Sequence, residues 1–185
     1  MKTLDAVNTI LPMLGTLPVT SLDTKNPTVS KIQAALLLHR QSVLAVGWWF
    51  NRKTILLYPD SSGNISAPAN TLSLYNVDSY DILTVVDGLL YSMTADTNVF
   101  SGPVHVSVIL DVPTFDALPA SVALYVMYLA AFQVYVSTLE VDAVARSIEQ
   151  QAVAAAAHVA QENLRQQRYS TTRGSAWQRI CRALG

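Results

Sequence analysis

The sequence predicts an α+β protein: four main helices forming a bundle, with an antiparallel β-sheet inserted between the second and third, and a basic C-terminal tail. Three observations carry this. Apolar residues recur at helical spacing near both ends of the chain, around residues 4–46 and 117–159. Between them, from Trp48 to Asp111, the pattern shifts to alternation punctuated by turn residues. The composition, 51% hydrophobic and 14% charged over 185 residues, supplies enough apolar material for a single-domain core and excludes a disordered chain.

Leu4, Val7, Leu11 and Leu14 mark a first helix stopped at Gly15. Pro12 removes one helical hydrogen bond and is expected to strain or shorten it. A turn region around Pro18 leads to the best-punctuated helix, residues 27–46. Asn26 suits its N-cap, Pro27 its first position and Gly47 its stop, with Val29, Ile32, Leu36, Val43 and His39 facing inward. A strand is predicted from Trp48 through Phe50, Ile55 and Leu57. Its alternation would turn Trp48 and Phe50 to the core and Trp49 away from it, as an interface residue.

Leu72 and Leu74 mark a second strand. Residues 83–92 read as a hairpin, because Asp87-Gly88 tolerates the positive φ angles of a tight type I′ turn. Val104, Val106, Val108 and Leu110 give the last strand of a sheet expected to lie between helices. Asp116 is the expected cap of a helix running to about Thr138, with Pro119 in its first turn. A final alanine-rich helix, about 142–168, is expected to turn Val141, Val144, Ile148, Ala152, Ala155 and Val159 to one side. This divides the chain into a helical region (1–47 and 116–168), a β-rich region (48–115) and a basic tail (169–185).

Charge is segregated along the chain. Residues 1–53 carry six Lys/Arg and two acids, residues 54–145 nine acids and no Lys or Arg, and residues 146–185 six arginines and two glutamates. The acidic middle argues against a sequence-specific nucleic-acid domain, which shows a basic footprint. Residues 117–139 lack charge and approach the length of a membrane span. Ser121, Gln133, Ser137 and Thr138 interrupt them, acids flank both ends, and Tyr125, Tyr128, Phe132 and Tyr135 form a lengthwise stripe, so a buried bundle helix is expected and no membrane insertion.

No cofactor or metal site is expected. His39, His105 and His158 lack ligand spacing, Cys181 is the only cysteine, and no phosphate-binding or nucleophile motif occurs. The enzymatic alternative is a cell-wall hydrolase using paired carboxylates, Asp78 with Asp81 or Asp87 with Asp96. A second alternative is a membrane-inserted entry or lysis protein using residues 117–139.

Two stretches carry a family likeness. Ala6-Val7-Asn8 with Leu11, then Gly15, Pro18, Val19 and Leu22, precede a long helix ending in Gly47-Trp48-Trp49-Phe50-Asn51. This order and spacing resemble the head-to-tail adaptor (tail tubular protein A) family of short-tailed bacteriophages, whose pattern runs A-V-N-x-x-L, G-x-x-P-V-x-x-L, helix, G-W-x-F-N. The resemblance covers residues 5–51, with weaker support at the helix opening near Leu118-Pro119. It implies a non-enzymatic virion protein of the tail, made in the host cytoplasm. Such a subunit forms a ring, generally twelve-fold, with copies of itself, joins the portal protein to the tail nozzle, and lines a channel through which DNA passes without specific binding. Arg165, Arg168, Arg173, Trp177, Arg179 and Arg182 are the candidate partner-docking residues, chosen because Arg makes bidentate contacts to carboxylates and Trp anchors interfaces.

Overall fold

The computed structural model describes residues 1–22 and 25–167. Helix α1 spans Thr3–Met13 and α2 Pro27–Leu44. Strands β1 (Arg52–Leu57), β2 (Thr71–Asn76), β3 (Leu83–Val86), β4 (Leu89–Ser92) and β5 (Val104–Leu110) follow, then α3 (Ala120–Thr138) and α4 (Ala143–Gln166). The architecture is the expected α+β one. The arginine-rich tail, including Arg168, Arg173, Trp177, Arg179 and Arg182, lies outside the described residues.

Helix α2 begins as its punctuation predicts: the Asn26 carboxamide oxygen accepts from the N–H groups of Thr28 and Val29, and Pro27 opens the first turn. It ends two residues early, at Leu44. Pro12 does not break α1, because it sits in the last turn. Bonds from Leu14, Gly15 and Thr16 back to Leu11 and Pro12 close the helix just beyond it.

Helix α3 is the bundle's centre, packed against both α4 and α2, with α1 against α2 and α3. Val122, Ala123, Val126, Met127, Ala130, Ala131 and Val134 are all nearly solvent-free, which places the uncharged stretch in a protein core. The α3–α4 corner is held by Asp142. One carboxylate oxygen caps α4 by accepting from Val144 and Ala145 N–H (2.9 Å each), and the other accepts from the Tyr135 hydroxyl at 2.8 Å. These donors hold the Asp142 carboxyl below its ordinary pKa, the Ala145 N–H contributing most.

The β-residues form two antiparallel sheets where one was expected. β5 is the middle of a three-stranded sheet ordered β1-β5-β2, and β3–β4 is a separate hairpin. The hairpin turn has the expected geometry, φ +50° at Asp87 and +78° at Gly88. The sheets bury their own core of Ile65, Leu74, Leu83, Leu90, Val106 and Val108 and are not sandwiched between helices.

Four further expectations are corrected. Residues 48–51 form a turn and β1 starts at Arg52, so no strand alternation orders the aromatic residues. Trp48, Trp49 and Phe50 all pack, half-buried, against the bundle core, and Trp49 does not point away from it. On α4, Val141 and Val144 are exposed. Ala145 takes the inner position instead, because the stripe Ala145-Ile148-Ala152-Ala155-Val159 keeps the three- and four-residue spacing of a single face. Asp116 does not cap α3. It lies in a short 3₁₀ turn, Phe115–Ala117, and its Oδ1 accepts from the backbone N–H (2.7 Å) and hydroxyl (2.6 Å) of Thr3, anchoring the start of α1.

Candidate functional site

The motif residues gather at two places, and both are joints between elements. The first joins α1 to the loop after it. Ala6 and Val7 are solvent-free in the bundle core. Asn8 clamps the loop at two points: its Nδ2 donates to Val19 O (2.9 Å) and its Oδ1 accepts from Val19 N–H (2.8 Å). That reciprocal pair uses both ends of one carboxamide. Pro18 beside it is exposed, and Val19 packs against the core.

The second joint links α2 to β1. Gly47 has φ +78°, a conformation side-chain-bearing residues rarely adopt. A Cβ there would stand 2.6 Å from Ile109 Cδ1 and 2.9 Å from Arg52 Nη2, so both side chains would have to shift to admit one. Asn51, only 2% exposed, holds three backbone groups. Its Oδ1 accepts from Trp48 N–H at 2.7 Å, and its Nδ2 donates to Leu44 O (3.0 Å) and Leu110 O (2.9 Å). Helix end, turn and central strand are thereby tied by one side chain. Trp48 donates its indole N–H to Val43 O at 2.7 Å, and Phe50 meets Trp49 edge to face with ring centres 5.1 Å apart.

Two contributors to this joint were not found from sequence. Asn163 of α4 accepts from Trp49 N–H at 3.0 Å, which brings the end of α4 to the α2–β1 turn. Nothing in the pattern around Asn163 signals this. Arg40 is buried, donating to Pro113 O and pairing with Asp111 at 3.2 Å, so it fastens α2 to the segment leaving β5. Here a signal exists: Arg40 continues the inner stripe Ile32-Leu36-Val43 at helical spacing. His39, expected inward, is half-buried, and that burial lowers its pKa against the opposing effect of a hydrogen bond with Gln133.

The joints position backbone and carry no reactive constellation. The carboxylates of the hydrolase alternative are each in a local structural role. Asp78 faces His105 at 3.3 Å, Asp81 accepts from the Ser92 hydroxyl, Asp96 accepts from the Tyr91 hydroxyl, and Asp87 sits in the hairpin turn. Among the described residues no group of three or more His, Cys, Asp or Glu is placed to hold a metal ion.

Residues 4–169 match the model of the family described as tail tubular protein, nearly the whole described chain. The chain belongs to the tail tubular protein family. It is 34% identical to "Tail tubular protein A" of Klebsiella phage KP34 over 183 residues, 99% of this chain and 98% of that protein. As a member it is a structural protein of the bacteriophage tail, located in the virion. The family match extends through α4, far beyond the two joints whose residues carried the resemblance. Of the candidate docking residues, Arg165 is described and stands exposed in the last turn of α4, where a cation suits the negative end of the helix dipole.

Proposed function

We propose that this chain is the head-to-tail adaptor subunit, a member of a closed, generally twelve-fold ring that joins the portal to the tail nozzle and lines the DNA exit channel. The observation that supports this most directly is apolar surface left on the flanks of the bundle. Leu37 and Leu38 on α2 are about half exposed (49% and 50%), and Val153 and Leu164 on α4 are 65% and 52% exposed. α2 and α4 both pack against α3. Apolar faces on different sides of a subunit suit heterologous side-to-side contacts, which close into a ring. The acidic stretch 54–145 suits a channel wall that does not hold DNA, since each favourable phosphate contact would slow passage.

Negative-stain imaging of the protein mixed with the portal of its phage tests the proposal. A ring capping the portal is expected; no complex under any salt condition would overturn it. Assembly in this reading occurs in the host cytoplasm, with Arg165 and the arginines beyond it meeting an acidic portal surface. Deleting residues 170–185 is then expected to weaken portal binding, with the largest deficit at low ionic strength, where charged contacts are least screened. Equal affinities of truncated and full chains at low salt would remove that docking role.

A further inference from the structure

The Tyr135 hydroxyl meets Asp142 at the start of α4, and the Ser121 hydroxyl meets Glu162 near its end, so α3 and α4 run antiparallel. Between them lies an open groove of about 310 Å³. Tyr125, Leu129 and Phe132 of α3 form one bank, and Glu149, Ala152, Val153 and Ala156 of α4 the other. Both sets keep three- and four-residue spacing, so each bank is a single helix face. Val153 is 65% exposed, and Ala152 and Ala156 are too short to fill the space beside it. Glu149 is the only charged residue of the lining among those described. Such a lining lacks the convergent polar groups that orient a small ligand; it suits the apolar stripe of a peptide segment.

The chain itself carries a matching segment. Residues 168–185 lie outside the described residues, so their pattern is read from sequence alone. Trp177, Ile180, Cys181 and Leu184 follow the i, i+3, i+4, i+7 spacing of one helical face, a wedge of about 100° at 3.6 residues per turn. Arg179 and Arg182 fall on the opposite side of that wheel. The segment holds Arg168, Arg173, Arg179 and Arg182 and no acid, a charge complementary to Glu149. Length also permits the contact. The path from Gln166, the end of α4, back to Ala156 is about 15 Å at the helical rise. Residues 167–176, fully extended, reach about 33 Å. That leaves slack for the chain to reverse before Trp177.

We propose that residues 177–184 dock in the α3–α4 groove of their own chain, with Trp177, Ile180 and Leu184 against Leu129, Phe132 and Val153. The mode is that of an apolar helical stripe in a groove. Glu149 attracts the positive segment, and the apolar residues lose water on contact. The occupant is the chain's own segment because a short tether holds it near the groove at an effective concentration on the order of millimolar. Arg179 and Arg182 then face outward, free to meet an acidic surface. While docked, the segment covers Val153, so the α4 flank is open to a neighbouring copy only after the segment leaves. The docking itself involves one copy and needs no ring, so it stands or falls separately from the reading above.

Cys181 is the only cysteine of the chain, which makes it a reporter of where the segment sits. In the full chain, Val153→Cys places a second thiol in the groove. His158→Cys places one on α4 outside the lining but nearer to Cys181 in sequence, and both positions are exposed. Under oxidised glutathione, Val153→Cys is expected to close the intrachain disulfide about tenfold faster than His158→Cys, because docking raises the local thiol concentration at the groove. Adding Trp177→Ala to Val153→Cys should remove most of that advantage. An undocked tail would instead favour position 158. Equal rates, a faster His158→Cys, or a disulfide that forms only between chains would each overturn the proposal. A second measurement uses Cys181 alone. Val153→Lys puts a like charge in the groove and is expected to speed labelling of Cys181 by a thiol reagent several-fold, with circular dichroism melting close to wild type. Unchanged labelling in that folded variant would also sink the docking.

Discussion

Asn51 holds more of the α2–β1 joint than either tryptophan near it. Replacing it by Ala strips Trp48 N–H of its acceptor and Leu110 O of the Asn51 donor in a place water reaches poorly, while Leu44 O keeps the Gly47 N–H. Unsatisfied buried groups cost about 1–3 kcal/mol each, so Asn51→Ala is expected to lower stability by about 3 kcal/mol in denaturant titration. Asn51→Asp should be no better, since a carboxylate cannot donate to two carbonyls; a variant that melts like wild type would show the network to be dispensable. Arg40 makes a different argument. Breaking a buried pair by removing one partner costs about 3–5 kcal/mol, whereas replacing both by apolar groups is often nearly neutral. Arg40→Met alone should therefore be worse than Arg40→Met combined with Asp111→Leu. The reverse order in a thermal melt would mean that the Asp111 carboxylate is not left uncompensated when Arg40 is removed.

Among the elements, α1 shows how much a helix owes to a residue far away in sequence. Lys2 at its N-cap offers no side-chain acceptor to the first turn, and Asp116 supplies one across 113 positions. The Thr3 hydroxyl, then the Thr3 N–H, then Lys2 hold the Asp116 carboxyl below its ordinary pKa. A carboxylate lowered in the folded state contributes stability that is fully present above its unfolded pKa, about 3.9, and is lost as pH falls through the lower folded value. Asp116→Ala is therefore expected to lower the melting temperature at neutral pH and to flatten its fall below about pH 4. A difference between variant and wild type that stays constant down to pH 2 would contradict this. The same residue marks where sequence reading stops. Asp116 before Pro119 has the right spacing for a local cap, and only tertiary packing diverts it to α1. Elements with self-contained chemistry were legible: Asn26-Pro27 for α2, Asp87-Gly88 for the hairpin, the alternation of β5. The turn at 48–51 was not, because Trp48 and Phe50 two apart imitate a strand, while the Asn51 bonds that bend the chain there involve Leu110, 59 residues on. The likeness of residues 5–51 marked the two joints by position, but it could not show Asn163 or Arg40 arriving from other elements.

At the scale of the whole molecule, there are two hydrophobic cores and a narrow seam between them. The bundle core runs from Ala6 to Val159 and the β core holds Ile65, Leu74, Leu83, Leu90, Val106 and Val108. The seam is crossed by Gly47 against Ile109, by the Asn51 network and by Arg40 with Asp111. These contacts are largely polar or steric, so they fix geometry while adding little shared apolar burial. Stability should then be regional, with each core opening as its own cooperative unit below the global transition. Leu90 is solvent-free in the β core, and Leu90→Ala should cost about 2–5 kcal/mol. Native-state hydrogen exchange is expected to place that loss in β3, β4 and β5 and to leave the amides of α3 and α4 near wild-type protection. Met127→Ala in the bundle should do the opposite, since Met127 touches only the other core. If Leu90→Ala loosened α3 and α4 as much as the strands, the seam would be transmitting the full cost, and the two cores would behave as one.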